Sequence, residues 1–150
     1  MSFYKILVFI HIISAIIGLG PGFILTFIVM KTGNMQEVRH AFFLRNRIHI
    51  FVMIGGIFLL TTGLLMGFLK PILFTQGWYM TSLILFLMTL ASGPFLLKPI
   101  SKPIQQILDE YEGDEIPKEY YKHANRLFMS EHILNIIFVI IIILMILKPF

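Results

Sequence analysis

The chain has 150 residues, of which 57% are hydrophobic and 13% charged, and its mean hydropathy is +0.87. Soluble domains carry roughly 25% charged residues, so the composition excludes an ordinary soluble enzyme and leaves room for four bilayer spans of about 20 residues each. The absence of cysteine removes disulfides, thiolate metal sites and cysteine nucleophiles. The net charge of +4 bears on membrane orientation and carries no weight for nucleic acid.

The first apolar run predicts a helix over 3–30. At 1.5 Å per residue it measures about 42 Å, more than the ~30 Å hydrocarbon core, so tilt or a kink at Pro21 is expected to absorb the excess. It far exceeds a signal-peptide core and reads as retained. His11, Ser14, Ala15, Gly18, Gly22 and Thr26 share one stripe at helical spacing. A lipid-facing helix has no use for small and polar residues there; a helix packed closely on neighbours, or around a ligand, does.

Asn34 followed by Glu37 predicts a capping pair and a new helix near Met35, entering the membrane as a second span over 48–69. Along it His49, Gly56, Gly63 and Gly67 recur on one face. The third span is expected over 78–97. Lys-Pro follows spans two, three and four at Lys70-Pro71, Lys98-Pro99 and Lys148-Pro149, and reads each time as a helix stop. The hydrophilic segment 98–127 is expected to be a loop carrying a short amphipathic surface helix through Ile104, Ile107, Leu108 and Tyr111. Pro117 fits a first helical position, and the last span is expected over 128–147.

The expected fold is therefore all-α: one integral-membrane four-helix bundle over 1–150, with helices two and four extended on one side. Nine Lys and Arg lie in segments 31–47 and 98–127, against Lys5, Lys70 and Lys148 on the opposite side. The positive-inside rule then puts both longer loops in the cytoplasm and both termini outside, with the plasma membrane as the expected location.

Ionisable groups at membrane depth mark functional candidates. His40 and His123 fall in the interfacial parts of their helices. His49 and His132 sit about one turn inside the loop-side boundary, near Arg45, Arg47 and Glu131. They read either as an interfacial polar network or as two imidazoles coordinating one cofactor, with Arg45 and Arg47 as propionate partners. His11 lies about 28 Å from that end, so it cannot share a ligand with them. Thr61, Thr62, Thr81 and Ser82 are its expected neighbours, and it reads either as a hydrogen-bonded bundle histidine or as an axial or proton-handling group. Ser14, Gly18, Gly22, Gly56, Gly63 and Gly67 are the expected helix-packing positions, in GxxxG spacings on adjacent spans. No serine–histidine–acid arrangement is present, and no carboxylate lies deep in a span.

Over nearly its full length the chain resembles the integral membrane proteins grouped as domain of unknown function 2269. The resemblance is carried by Lys5–Gly22 (KILVFIHIISAIIGLGPG), Arg45–Gly56 (RNRIHIFVMIGG), Gly77–Ser82 (GWYMTS) and Ile116-Pro117. More distantly, His11 in the first helix of a four-span protein is similar to the copper-resistance CopD family and to the protoporphyrinogen oxidase HemJ, where such a histidine is implicated in haem binding. HemJ-like proteins also use a lysine in the third span. Thr81 and Ser82 stand here with no internal lysine, which argues against that enzyme activity. The resemblance and the histidines together lead to the expectation of a b-type haem, porphyrin or quinone-like planar ligand held through His11, His49 and His132. The alternative is a cofactor-free accessory subunit whose partner is a second copy or another membrane protein.

Overall fold

The computed structural model describes residues 2–150. Its helices are α1 (Phe3–Met30), α2 (Met35–Leu69), α3 (Gly77–Ser92), α4 (Lys98–Glu110) and α5 (Lys118–Leu147), with a short 3₁₀ turn at Pro71–Thr75 and a π-helical turn at Gly93–Leu97. No strand occurs among the described residues. Because α3, the π turn and α4 run on continuously, four helices are long and apolar enough to cross a membrane.

Local chemistry sets the helix ends. Asn34 Oδ1 accepts from the Glu37 N–H at 2.8 Å, and the Glu37 carboxylate accepts from the Gly33 N–H at 2.7 Å, which starts α2 where the capping pair predicts. Lys148 ends α5 in the left-handed region at φ 47°. Its N–H returns to the Leu144 carbonyl at 2.9 Å, and Pro149 follows.

The Lys-Pro pair after span three, Lys98-Pro99, behaves differently from the expected stop. The chain stays helical through Pro94, Lys98-Pro99 and Pro103 to Glu110. Prolines remove backbone donors, and the π turn shifts the hydrogen-bond register around them, with Lys98 N–H reaching the Gly93 carbonyl. The connection between spans three and four is therefore residues 111–117 rather than 98–127.

The amphipathic helix is also no surface element. Ile100, Ile104 and Leu108 of α4 are buried in a cluster with Met35, Val38 and Phe42 of α2 and Tyr120, Ala124 and Leu127 of α5. The apolar stripe that reads as membrane-binding in one dimension instead closes a core beyond the expected spans. Arg39 fixes the arrangement by donating to the Leu108 carbonyl at 3.1 Å and to the Tyr111 carbonyl, both orphaned at the C-terminus of α4. The Met35 N–H bonds the Asp114 carbonyl at 2.9 Å.

The spans form two pairs, α1 with α2 and α3 with α5, joined by contacts of α1 with α5. The α1–α2 crossing is backbone-close at one point. A Cβ built on Gly18 would lie 2.9 Å from the Gly55 carbonyl carbon, and one on Gly55 would overlap the Gly18 backbone. A second buried cluster takes one residue from each span: Leu19, Leu59, Phe86 and Ile141.

Two ends can now be distinguished. The loop end gathers 31–34 and 111–117. The terminal end gathers both termini and the 70–76 turn, where Trp78 N–H bonds the Phe150 backbone oxygen at 2.9 Å.

Candidate functional site

Near the terminal end the two helix pairs stand apart and leave a cavity of about 590 Å³ lined by all four spans. Its wall is almost entirely apolar, and its polar residues are His11, Tyr79 and Ser82. Ligand pockets of roughly 300–1,000 Å³ have this character: apolar walls with a few convergent polar groups.

His11 is held in one tautomer by a chain of bonds. Its Nδ1 lies 2.8 Å from Thr62 Oγ1. The Thr62 hydroxyl faces the carbonyls of Phe58 at 2.7 Å and Leu59 at 3.2 Å. With its single proton on either carbonyl, Oγ1 accepts from the imidazole, the assignment adopted for this network. Nδ1 therefore carries the hydrogen, and in the neutral ring Nε2 keeps its lone pair. No group among the described residues hydrogen-bonds that nitrogen.

The glycines of α2 build this end of the cavity. A Cβ on Gly63 would come within 3.3 Å of His11 Cε1, so Gly63 makes the seat for the imidazole. A Cβ on Gly67 would strike the Tyr79 hydroxyl and lie 2.7 Å from Phe74 Cζ. Glycine there lets Tyr79 reach across and donate to the Gly63 carbonyl at 2.9 Å. Ser82 is fully buried in the wall, and its hydroxyl has no partner among the described residues.

The expected packing positions therefore divide. Ser14 and Gly18 face α2, with the Ser14 hydroxyl returned to the Ile10 carbonyl at 2.7 Å. Gly22 faces Asn135 of α5, whose amide donates to its carbonyl at 3.4 Å. A Cβ on Gly56 would point to Leu90 of α3, 3.9 Å away, and Gly56 meets Gly18 only through its backbone N, 3.0 Å from a Cβ built on Gly18. Its neighbour Gly55 is the residue whose missing side chain lets the helices approach there, a one-residue difference that helical periodicity alone does not resolve.

At the loop end, Arg45 pairs with Glu131 Oε1, and Thr26 donates to Glu131 Oε2 at 2.6 Å. This bolt joins α2, α5 and α1, with Arg45 and Glu131 only 13% and 11% exposed. His49, His132 and Arg47 are all exposed, and Arg47 lies over the Phe43 ring at 5.2 Å. None of the three lines the cavity. His49 precedes Gly63, the seat of His11, by 14 residues on α2, about 21 Å along the axis. Among the described residues no group of three His, Asp or Glu is placed to hold a metal ion.

Of the expected neighbours of His11, Thr62 and Ser82 are at the site, whereas Thr61 is exposed with its hydroxyl on the Ile57 carbonyl and Thr81 does not line the cavity; Tyr79 was not expected there. The signal was the spacing of Gly63 and Gly67, which here clears a path for an aromatic side chain instead of a helix backbone.

A family model described as "Predicted integral membrane protein (DUF2269)" matches residues 5–149. Comparison with curated proteins and with solved structures found no match.

Proposed function

The chain belongs to the DUF2269 family of predicted integral membrane proteins, and on that premise we propose that it binds a planar, quinone-like ligand within the bilayer, in the terminal-end cavity, through His11. The observation that carries this reading is His11, its Nδ1 on Thr62 and its Nε2 without a hydrogen-bond partner among the described residues, beside an apolar cavity of about 590 Å³, where that nitrogen can accept from the hydroxyl of the ligand's reduced, quinol form. A histidine that donates its other N–H to a fixed acceptor is held in the tautomer and orientation a ligand requires. The unpartnered Ser82 hydroxyl can donate to a carbonyl of the oxidised, quinone form, whereas the Tyr79 proton is already on the Gly63 carbonyl.

A b-type haem clasped between two histidines fits poorly. The cavity contains one imidazole, and His49 and His132 are exposed and do not line it. Arg45 is already paired with Glu131, which removes it as a propionate partner. We place the protein in the plasma membrane with the loop end cytoplasmic, on the nine-to-three distribution of Lys and Arg. A reporter inserted at Gly113 tests that orientation.

The ligand reading is tested on protein purified from membranes in mild detergent. Organic extraction and mass analysis should yield a stoichiometric quinone-like molecule from the wild type and none from His11→Ala. The visible spectrum should lack a stoichiometric Soret band. A protein with no ligand in either form, and no quinone binding on titration, leaves the cofactor-free accessory subunit as the better account.

A further inference from the structure

The cavity is not equally enclosed along its length. Around His11 all four spans contribute to it, with Gly63 of α2, Tyr79 and Ser82 of α3, and Met145 of α5 among the lining residues. Away from this end its lining continues along α1 from His11 to Phe23, twelve residues or about 18 Å. On α2 it reaches back only to Leu59, and on α3 only to Phe86. The inner stretch is thus an open groove on the surface of α1.

The exposure pattern locates its open side. Ser82, Tyr79, Leu59 and Phe86 form the buried back wall, whereas Ile16 of α1 is 62% exposed and Ile146 of α5 is 71% exposed. Both line the cavity. The opening therefore faces lipid between α1 and α5. Midway along the groove, a Cβ on Gly20 would meet nothing within 4 Å. Glycine at that position does not serve helix packing; it leaves the groove floor low.

We propose that the ligand is a head-and-tail molecule of the lipid-quinone class, entering sideways from the bilayer between α1 and α5, with its ring at His11 and its chain along α1 over Gly20. A flat ring alone leaves most of the 18 Å groove unfilled, since the groove is several ring widths long. A chain completes it. The groove is uncharged, with no Lys, Arg, Asp or Glu among its lining residues, so a hydrocarbon chain suits it and an acidic or basic one does not. The proposal rests on the reading of His11 as the ring-binding residue, and the test separates the two.

A benzoquinone bearing a photoactivatable diazirine at the end of its chain is added to the protein in phospholipid vesicles, irradiated, and its insertion sites mapped by peptide mass spectrometry. Binding of the ring is followed separately with a chainless quinone that quenches Trp78, the one tryptophan and the neighbour of Tyr79. Insertion is expected on α1 between Leu19 and Phe23, and excess unlabelled tailed quinone should suppress it. Gly20→Phe, whose ring enters open space, should abolish the α1 insertions while leaving Trp78 quenching by the chainless quinone intact. Insertion scattered over lipid-facing residues and insensitive to competitor, with quenching still saturable, overturns the chain path alone. Quenching that never saturates overturns the ring site and the chain path together.

Discussion

Four glycines within reach of α1 and α2 make the packing account quantitative, because the structure gives each a different environment. Alanine is favoured over glycine within a helix by about 1 kcal/mol, so Gly→Ala stabilises unless the new methyl has no room. At Gly20 the methyl meets nothing, and at Gly56 it makes ordinary contact with Leu90 at 3.9 Å. At Gly18 it would lie 2.9 Å from backbone that cannot rotate away, and at Gly55 it would overlap backbone outright. Overpacking costs roughly 1–3 kcal/mol. Gly20→Ala and Gly56→Ala should therefore gain up to about 1 kcal/mol. Gly55→Ala should lose about 2 kcal/mol net, and Gly18→Ala somewhat less. For a chain of this size 1 kcal/mol corresponds to about 2–4 °C, so Gly55→Ala and Gly20→Ala should differ by about 6–12 °C in detergent melts followed by Trp78 fluorescence. Equal effects at Gly20 and Gly18, or a more stable Gly55→Ala, would refute the backbone-close crossing.

The remaining predictions concern the polar groups. Arg45→Met strands the Glu131 carboxylate and should destabilise by about 3–5 kcal/mol, whereas Arg45→Met with Glu131→Leu should recover most of that loss. A melting-based double-mutant cycle with simple additivity would contradict the bolt. Tyr120 is 3% exposed and its hydroxyl has no partner among the described residues, so Tyr120→Phe should stabilise by about 1 kcal/mol or more in the same melts. Asn34→Ala removes the cap of α2 and should cost about 1 kcal/mol, with hydrogen exchange rising first at Met35–Val38. Thr62→Val keeps the shape but removes the acceptor that fixes His11, and should weaken quinol binding about tenfold, the equivalent of one hydrogen bond near 1.4 kcal/mol.

The number of spans, the exact extent of α1, the cap at Asn34 and the hydroxyl beside His11 are all legible in the sequence, because each rests on hydropathy or on spacing within one helix. Legibility ends where two helices must meet. Helical periodicity puts Gly55 and Gly56 on adjoining faces 100° apart, and only the packed structure shows that Gly55 touches Gly18. The Lys-Pro pairs are identical as dipeptides, yet Lys98-Pro99 and Lys102-Pro103 follow a π turn and lie in a helix that continues, while Lys70-Pro71 and Lys148-Pro149 end theirs. The stripe of α4 is an accurate forecast of amphipathicity. Its partner, a buried face shared by the extensions of α2 and α5, lies too far away in sequence to be inferred from α4 itself. For the same reason His49 and His132 read as facing residues from their depth, while their rotation about the helix axis puts both on exposed faces.

The central claim is that the terminal-end cavity takes a ring at His11, and a fluorescence titration tests it most directly. Short-chain quinol, kept reduced, added to the purified wild-type protein should quench Trp78 with a saturating, stoichiometric curve. His11→Ala, with an unchanged melting midpoint, should shift that curve to at least about tenfold higher concentration. Superimposable curves for the two proteins, or quenching that stays linear in both, would contradict it.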